Sequence, residues 1–428
     1  MAEIDSAGVT AALNKIKRYI DAVHYGTNQE EAGSDTFEIT FKFFDNQGDS
    51  TAWSDVITDG LEDYPLPKSD NWMSLLKLKP CILRNGQVVT YLDINDYTKD
   101  TNGNTVDLTV LGDDVMLEIP RMGYRIEPIT GRDNYRFTIS NDVSDPSLDF
   151  SAFSLDDYGD CDKLYYGVYK SYVEGDKMYS TVGKIPTGGH TLDEMRTYAR
   201  ARGTGYIDVS FAADELLQIL FCMTVQNTNG QTAIGVGHTG ASSAAENLLA
   251  TGGSETYGPF MQQSSAATAK TTNVGYHAKC LGIEDPWGNI DQLLDGFIKS
   301  AVHDTNNFDI LRAKCASDFN STGEGYVNVG TVVLKNYLSS SGIGYGYTTR
   351  MTMQQGAVFL PLEKNGYSNT NYCDYGYWRN ILTICSHGGN LSSGSAAGPF
   401  YCNMISQPTD AFWNSSSRLM YLHKEQTN

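Results

Sequence analysis

Residues 378–403 read WRNILTICSHGGNLSSGSAAGPFYCN, and the reading of this stretch decides what the C-terminal half is. It sets Trp378, Phe400 and Tyr401 among Ser, Asn and Gly with almost no charge. A plain core would not take so much polarity, and an ordinary solvated surface would carry Lys and Glu. The wider window 365–417 holds 7 Asn, 9 Ser and 5 Tyr but three charged residues, Asp374, Arg379 and Asp410. Tyr and Trp offer contact area for little lost side-chain entropy, while Ser, Asn and Gly offer adaptable hydrogen bonding, which together make the composition of a binding surface. Structural loops around a small core account for part of the window. Trp378, Ile381, Leu382, Ile384, Phe400 and Leu419 stand in short apolar surroundings and are assigned to packing. The positions between them are the contact candidates: Asn371, Tyr372, Tyr375, Tyr377, Asn380, His387, Asn390, Ser392, Ser393 and Trp413.

Working outward, the 428 residues leave room for two or three domains that each bury a core without staples. Gly at 42 and Tyr at 27 against Trp at 5 favour strands and loops over helices. A net charge of -20 argues against nucleic acid and anionic membranes as partners, since no basic patch offsets it. No stretch is apolar for long enough to cross a bilayer, and MAEIDSAGVT lacks the basic-then-apolar order of a secretory leader. The chain is therefore expected to be soluble, with no membrane insertion. Its 8 cysteines contain no C-x-x-C pair and are read as buried thiols.

The sequence singles out no catalytic residue, cofactor or metal site. GVGHTG at 235–240 fits G-x-G-x-x-G, but a helical run and a polar turn precede it where a dinucleotide site needs a strand. DTNGNTVD at 100–107 spaces oxygen ligands as a calcium loop does, yet its Gly comes too early and no Glu closes it. The histidines are scattered, with no H-E-x-x-H and no G-x-S-x-G.

Three regions follow from patterning. In residues 1–35, Val9, Leu13, Ile16, Ile20 and Val23 form the a/d seam of a short coiled-coil helix, the expected oligomer seam and attachment segment, followed by a polar linker. Two heptads are marginal alone, so the seam needs copies of itself, a neighbouring protein, or its own domain to bury against. Residues 36–186 read as a β-rich domain, from the alternation of TFEITFKFF and the hairpin signal Asn85-Gly86 in CILRNGQVVTYLD. In residues 187–428, Thr191 and Glu194 make a capping box at the start of one helix, ADELLQILFCMTV reads as a second, and the rest, rich in Gly, Asn and Ser with short apolar segments, completes one loop-dominated α+β domain. The expected fold class is α+β.

Several segments carry a resemblance. ARGTGYIDVSFAADELLQILFCMTVQNTNGQTAIGVG, LGIEDPWGNIDQLLDGF, and the closing WRNILTICSHGGNLSSGSAAGPFYCN with SSRLMYL resemble the C-type lectin fold of the formylglycine-generating-enzyme-like branch. Within it they are closest to phage receptor-binding proteins of the major tropism determinant type. KPCILRNGQVVTYLDINDY, GDDVMLEIPRMGYRI and LYYGVYKSYVEGDKMYSTVGKIP resemble the β-rich part of virion proteins from phages of Gram-positive gut bacteria. The resemblance implies a C-terminal C-type lectin-like domain with Trp287, Gly288 and Asn289 as scaffold. It also implies a homotrimer on the virion surface, held to other virion proteins by its N-terminal region and binding a bacterial surface glycan or protein. In several relatives retroelements diversify such a face, and residues 365–417 share that residue bias. The oxidase members carry a close redox cysteine pair, whereas Cys385 and Cys402 stand apart in sequence, and Gln407-Pro408-Thr409-Asp410 departs from the calcium-lectin tripeptide. The resulting expectation is a tail-fibre adhesin and not an enzyme. The rival readings are a head-fibre, capsid or collar decoration protein and a glycan-active enzyme.

Overall fold

Alternation in TFEITFK does make a strand, Thr36–Lys42, and Asn85 with Gly86 turns the hairpin between strands Lys79–Arg84 and Gln87–Tyr91. Both turn residues sit at positive φ, 50° and 74°, the left-handed conformation that matches the twist of a two-residue hairpin. The structure is a computed structural model and describes residues 36–42, 65–128, 134–261, 277–300, 306–334, 337–368 and 372–425. The seam Val9, Leu13, Ile16, Ile20 and Val23, with its expected N-terminal helix, lies outside the described residues, as does Asn371.

The α+β expectation is corrected: the fold is mostly β, with 37% strand, 14% helix and 4 helices among the described residues. These are α1 (Asn71–Leu75), α2 (Leu192–Arg200), α3 (Phe211–Val225) and α4 (Gly230–Ala233). The capping box forms, since Thr191 Oγ1 accepts from the Glu194 N–H and Glu194 Oε2 accepts from the Thr191 N–H at 2.8 Å. Ser210 caps α3, and Gln226 in left-handed conformation ends it. Helix α3 is apolar nearly all round and is accordingly buried nearly all round. None of the described helices is long and apolar enough to cross a membrane.

The difference arises after α4, where a Gly-, Asn- and Ser-rich sequence that reads as loop-dominated forms strands. Several of its polar side chains find partners inside. Asp295 in the fully buried strand Asp291–Lys299 takes a two-pronged ion pair from Arg196 of α2, at 2.6 and 2.8 Å. Gln292 of the same strand bonds Lys170, Tyr166 and Arg418. Buried polarity that is fully partnered costs little, so composition understates how much strand this region holds.

The largest sheet has nine strands. Its main order is Val327–Val333, Asn307–Arg312, Asp291–Lys299, Thr383–Gly388, Gly398–Met404, Tyr375–Arg379, Ile343–Gln354 and Ala357–Lys364, with Ser415–Ser416 added beside Asp291–Lys299. It curls into a nearly closed barrel, and its two ends are tied where Gln354 Nε2 donates to the Val329 carbonyl. Phe308, Trp378, Phe359 and Phe400 are buried in its core. The indole of Trp378 stacks on Phe308 with centroids 5.2 Å apart and donates to the Pro361 carbonyl at 2.9 Å, so its polar atom is satisfied. Burying one such side chain stabilises by roughly 1.5–3 kcal/mol.

A six-stranded sheet runs Tyr206–Asp208, Leu419–His423, Lys163–Gly167, Asp114–Pro120, Lys79–Arg84 and Gln87–Tyr91. It draws strands from both sides of position 186. Arg418, fully buried, ties this sheet to the larger one. Its Nε donates to Gln292 Oε1, and its two terminal nitrogens donate to the carbonyls of Gly167, Val168, Glu284 and Asp285. A third sheet runs Thr36–Lys42, Asn134–Ser140 and Gly123–Pro128, with Asn134–Ser140 in the middle.

Candidate ligand-binding face

Strands Ile343–Gln354 and Tyr375–Arg379 pair antiparallel with Tyr345 opposite Tyr377 and Tyr347 opposite Tyr375. Side chains on a strand alternate between faces, so the four phenols share the outer side. The inner side is held by Gly344, Gly346, Gly376 and Trp378. Glycine is required there: a Cβ on Gly344 would lie 2.0 Å from the Tyr337 carbonyl oxygen, and one on Gly376 would lie 2.3 Å from the Tyr337 hydroxyl. The repeats Gly344-Tyr345-Gly346-Tyr347 and Tyr375-Gly376-Tyr377-Trp378 thus set rings outward over a close-packed underside.

The rings form one patch. Tyr345 stacks near Tyr377 and Tyr375, at centroid distances of 6.0 and 6.4 Å, and Tyr347 meets Tyr375 edge-on at 4.5 Å. Tyr375 and Tyr377 are 5.5 Å apart, and Tyr401, on the same face of the neighbouring strand, flanks Tyr377 at 5.6 Å. Tyr345 is 59% exposed, Tyr347, Tyr375 and Tyr377 are half-buried, and Tyr401 is buried. The Tyr347 hydroxyl shares a 2.5 Å hydrogen bond with Ser395 Oγ, which links the patch to the Gly394–Ala396 turn. Burial, with Tyr375 alongside, pushes the Tyr377 phenol up to about 12, and burial raises that of Tyr375 as well. At neutral pH both rings stay uncharged and can donate as well as accept.

Of the residues expected to make contact, Tyr375 and Tyr377 lie on this face, and Asn380 is exposed just beyond its strand. Tyr372 lies inside, 1% exposed and edge-on to Phe400 at 5.5 Å. His387 is buried with Nδ1 2.6 Å from Asp214 Oδ2. Asn390 is buried too: its Nδ2 donates to Asp291 Oδ2 at 2.9 Å, and its Oδ1 accepts from the Ser392 N–H at 3.0 Å and the Ser392 hydroxyl at 2.9 Å. It therefore shapes the turn that carries exposed Ser392 and half-buried Ser393. Trp413 is half-buried against Leu248, Ile290 and Leu391. Trp287 is fully buried and donates to the Gly235 carbonyl at 3.1 Å. Gly288 and Asn289 adopt positive φ of 79° and 61°, and the Asn289 amide bonds both the N–H and the carbonyl of Leu249.

Sequence reasoning missed Tyr345 and Tyr347, which lie upstream of the window that drew attention. The signal that could have found them is the Gly-Tyr alternation, which pairs with the Tyr-Gly-Tyr of the later strand. Cys385 and Cys402, taken as distant, meet with sulfurs 3.6 Å apart although they are 17 positions apart in sequence. All 8 cysteines are buried thiols. At 235–240 no dinucleotide geometry arises, since the short helix α4 precedes the segment and no helix opens at Gly240. Asp100 holds its own turn by accepting from the N–H groups of Asn102 and Asn104, at 2.8 and 2.9 Å.

No protein-family model matches the chain, and no curated protein does. Its neighbours among solved structures include variants of the Major Tropism Determinant. The U1 variant is 12% identical with a TM-score of 0.28, covering 81% of this chain and 72% of its own. The M1 variant is 11% identical with a TM-score of 0.27, covering 82% and 72%, and the P3c variant is 11% identical with a TM-score of 0.29, covering 81% and 72%.

Proposed function

We propose that this chain is a bacteriophage virion adhesin of the tail-fibre kind, which binds a bacterial surface glycan or protein through the face built by Tyr345, Tyr347, Tyr375 and Tyr377. The observation that carries the reading is the patch itself: stacked, uncharged rings, one of them more than half exposed, on strands whose inner side leaves no room for a Cβ at Gly344 or Gly376. Aromatic rings tipped with hydroxyls suit a ligand that has apolar faces and polar edges, as sugar rings do. Rigid rings also lose little entropy on binding. Of the contact residues named from sequence, Tyr375, Tyr377, Asn380, Ser392 and Ser393 remain candidates, while Tyr372, His387 and Asn390 act from beneath. No step of chemistry is needed for attachment. Assembly as a homotrimer through the seam at Val9 to Val23 would multiply weak contacts into avidity.

The test is binding of the labelled full-length chain to a panel of bacterial cells and purified cell-wall glycans. The double variant Tyr345→Ala, Tyr375→Ala should bind at least about ten-fold more weakly. Sedimentation should show its oligomeric state unchanged. Undiminished binding by a folded double variant would overturn the assignment of this face.

A further inference from the structure

Strands Thr383–Gly388 and Gly398–Met404 pair antiparallel with His387 directly opposite Cys402, and Cys385, two residues before His387, points to the same side of the sheet. The result is a buried trio whose ligand atoms, two sulfurs and an imidazole nitrogen, all lie within 4.8 Å of one another. The imidazole is already oriented: Nδ1 faces Asp214 Oδ2 at 2.6 Å, which leaves Nε2 as the ring's remaining ligand atom. That Nε2 is buried and meets no nitrogen or oxygen partner among the described residues, and the Cys402 sulfur lies within hydrogen-bonding reach of the imidazole. A weak thiol–imidazole contact of this kind is readily replaced by an ion lying between the two ligand atoms.

We propose that Cys385, His387 and Cys402 form a binding site for a thiophilic divalent cation, Zn2+, with Asp214 as the carboxylate that positions His387. Distances favour this over a disulfide. Sulfurs bound at about 2.3 Å to a tetrahedral ion lie roughly 3.8 Å from each other. The two here are 3.6 Å apart, whereas a disulfide requires about 2.05 Å. Two thiolates would cancel the charge of a divalent ion, so the ion and its three ligands together would carry no net charge, which lowers the cost of holding it in the interior. An Asp–His–metal relay is the usual way a ligating imidazole is held in one tautomer. A cavity of about 50 Å³, bordered by His387 with Asp214, Gln218, Trp287 and Pro399 but by neither cysteine, is large enough to hold a water next to the imidazole.

The experiment uses the full chain, reduced and stripped of metal, then titrated with Zn2+ alone. Metal content is read by mass spectrometry, Co2+ replacing Zn2+ reports thiolate ligation through its charge-transfer absorption, and thermal unfolding reports coupling to the fold. The expected result is one ion per chain, a raised unfolding temperature and a thiolate-to-cobalt band. Cys385→Ser with Cys402→Ser should lose all three, and Asp214→Asn should bind about 10–100-fold more weakly. Retention of the ion by a folded double-serine variant would overturn the proposal. So would a wild-type chain that takes up no Zn2+, one that takes up cuprous ion alone, or one whose two cysteines are found as a disulfide without metal. Should the serine variants fail to fold, Asp214→Asn decides, since cobalt affinity equal to that of the wild type would overturn the proposal.

Discussion

Glu215 on α3 joins three parts of the molecule. Its Oε2 accepts from the Tyr124 hydroxyl at 2.7 Å and from Arg312 at 3.1 Å, and its Oε1 accepts from the Val358 N–H at 2.6 Å. Burial pushes its carboxyl from the ordinary 4.5 up to about 7, with Arg312 pulling the other way. A folded-state value above the unfolded one means that the folded chain holds this proton longer. Its contribution is therefore complete below about pH 4.5 and is lost as pH rises through about 7. The unfolding temperature should fall between about pH 5 and pH 8, and Glu215→Gln should flatten that fall by the equivalent of about 1–3 kcal/mol. Identical slopes in the two proteins, measured by scanning calorimetry, would assign the trend to other groups. Single residues were also where sequence reasoning had least purchase. Tyr375 and Tyr372 look alike in NYCDYGYW, yet one lies on the face and the other packs on Phe400, because the positive φ of 63° at Cys373 turns the chain between them.

Elements with local causes were legible. Helices α2 and α3 begin at their capping residues, and the hairpin turns at Asn85 and Gly86. Strands that depend on distant partners were not. Ile343–Gln354 carries Gly344 and Gly346, which weaken a strand in isolation and are explained only by Tyr337 and Lys364 packed against them. The meeting of Cys385 with Cys402 was hidden for the same reason, since it depends on strand register and not on spacing. The glycine underside makes a prediction of its own. Gly344→Ala or Gly376→Ala removes no atom from the outer face but forces backbone or ring movement beneath it. Each should cost about 1–3 kcal/mol in urea unfolding and should weaken binding to whichever bacterium the wild type recognises. Full binding by a destabilised variant would separate the face from its support.

At the scale of the whole molecule, Leu419–His423 lies inside the six-stranded sheet, between Tyr206–Asp208 and Lys163–Gly167. Residues 36–186 therefore lack one neighbour of strand Lys163–Gly167 when separated from the rest. Expressed alone, that fragment should aggregate or melt without cooperativity by circular dichroism, and sharp two-state melting would show that its edge tolerates exposure. Neither composition nor periodicity reveals this long-range pairing, just as neither revealed that the polar region after α4 would form the nine-stranded sheet. The placement has a consequence for biosynthesis. While the ribosome is still translating, strand Lys163–Gly167 keeps an open hydrogen-bonding edge until residues near 420 emerge, and such an edge invites pairing with other nascent chains. Production of the native protein should accordingly depend on chaperones that shield the unfinished sheet and on how densely the messenger is loaded.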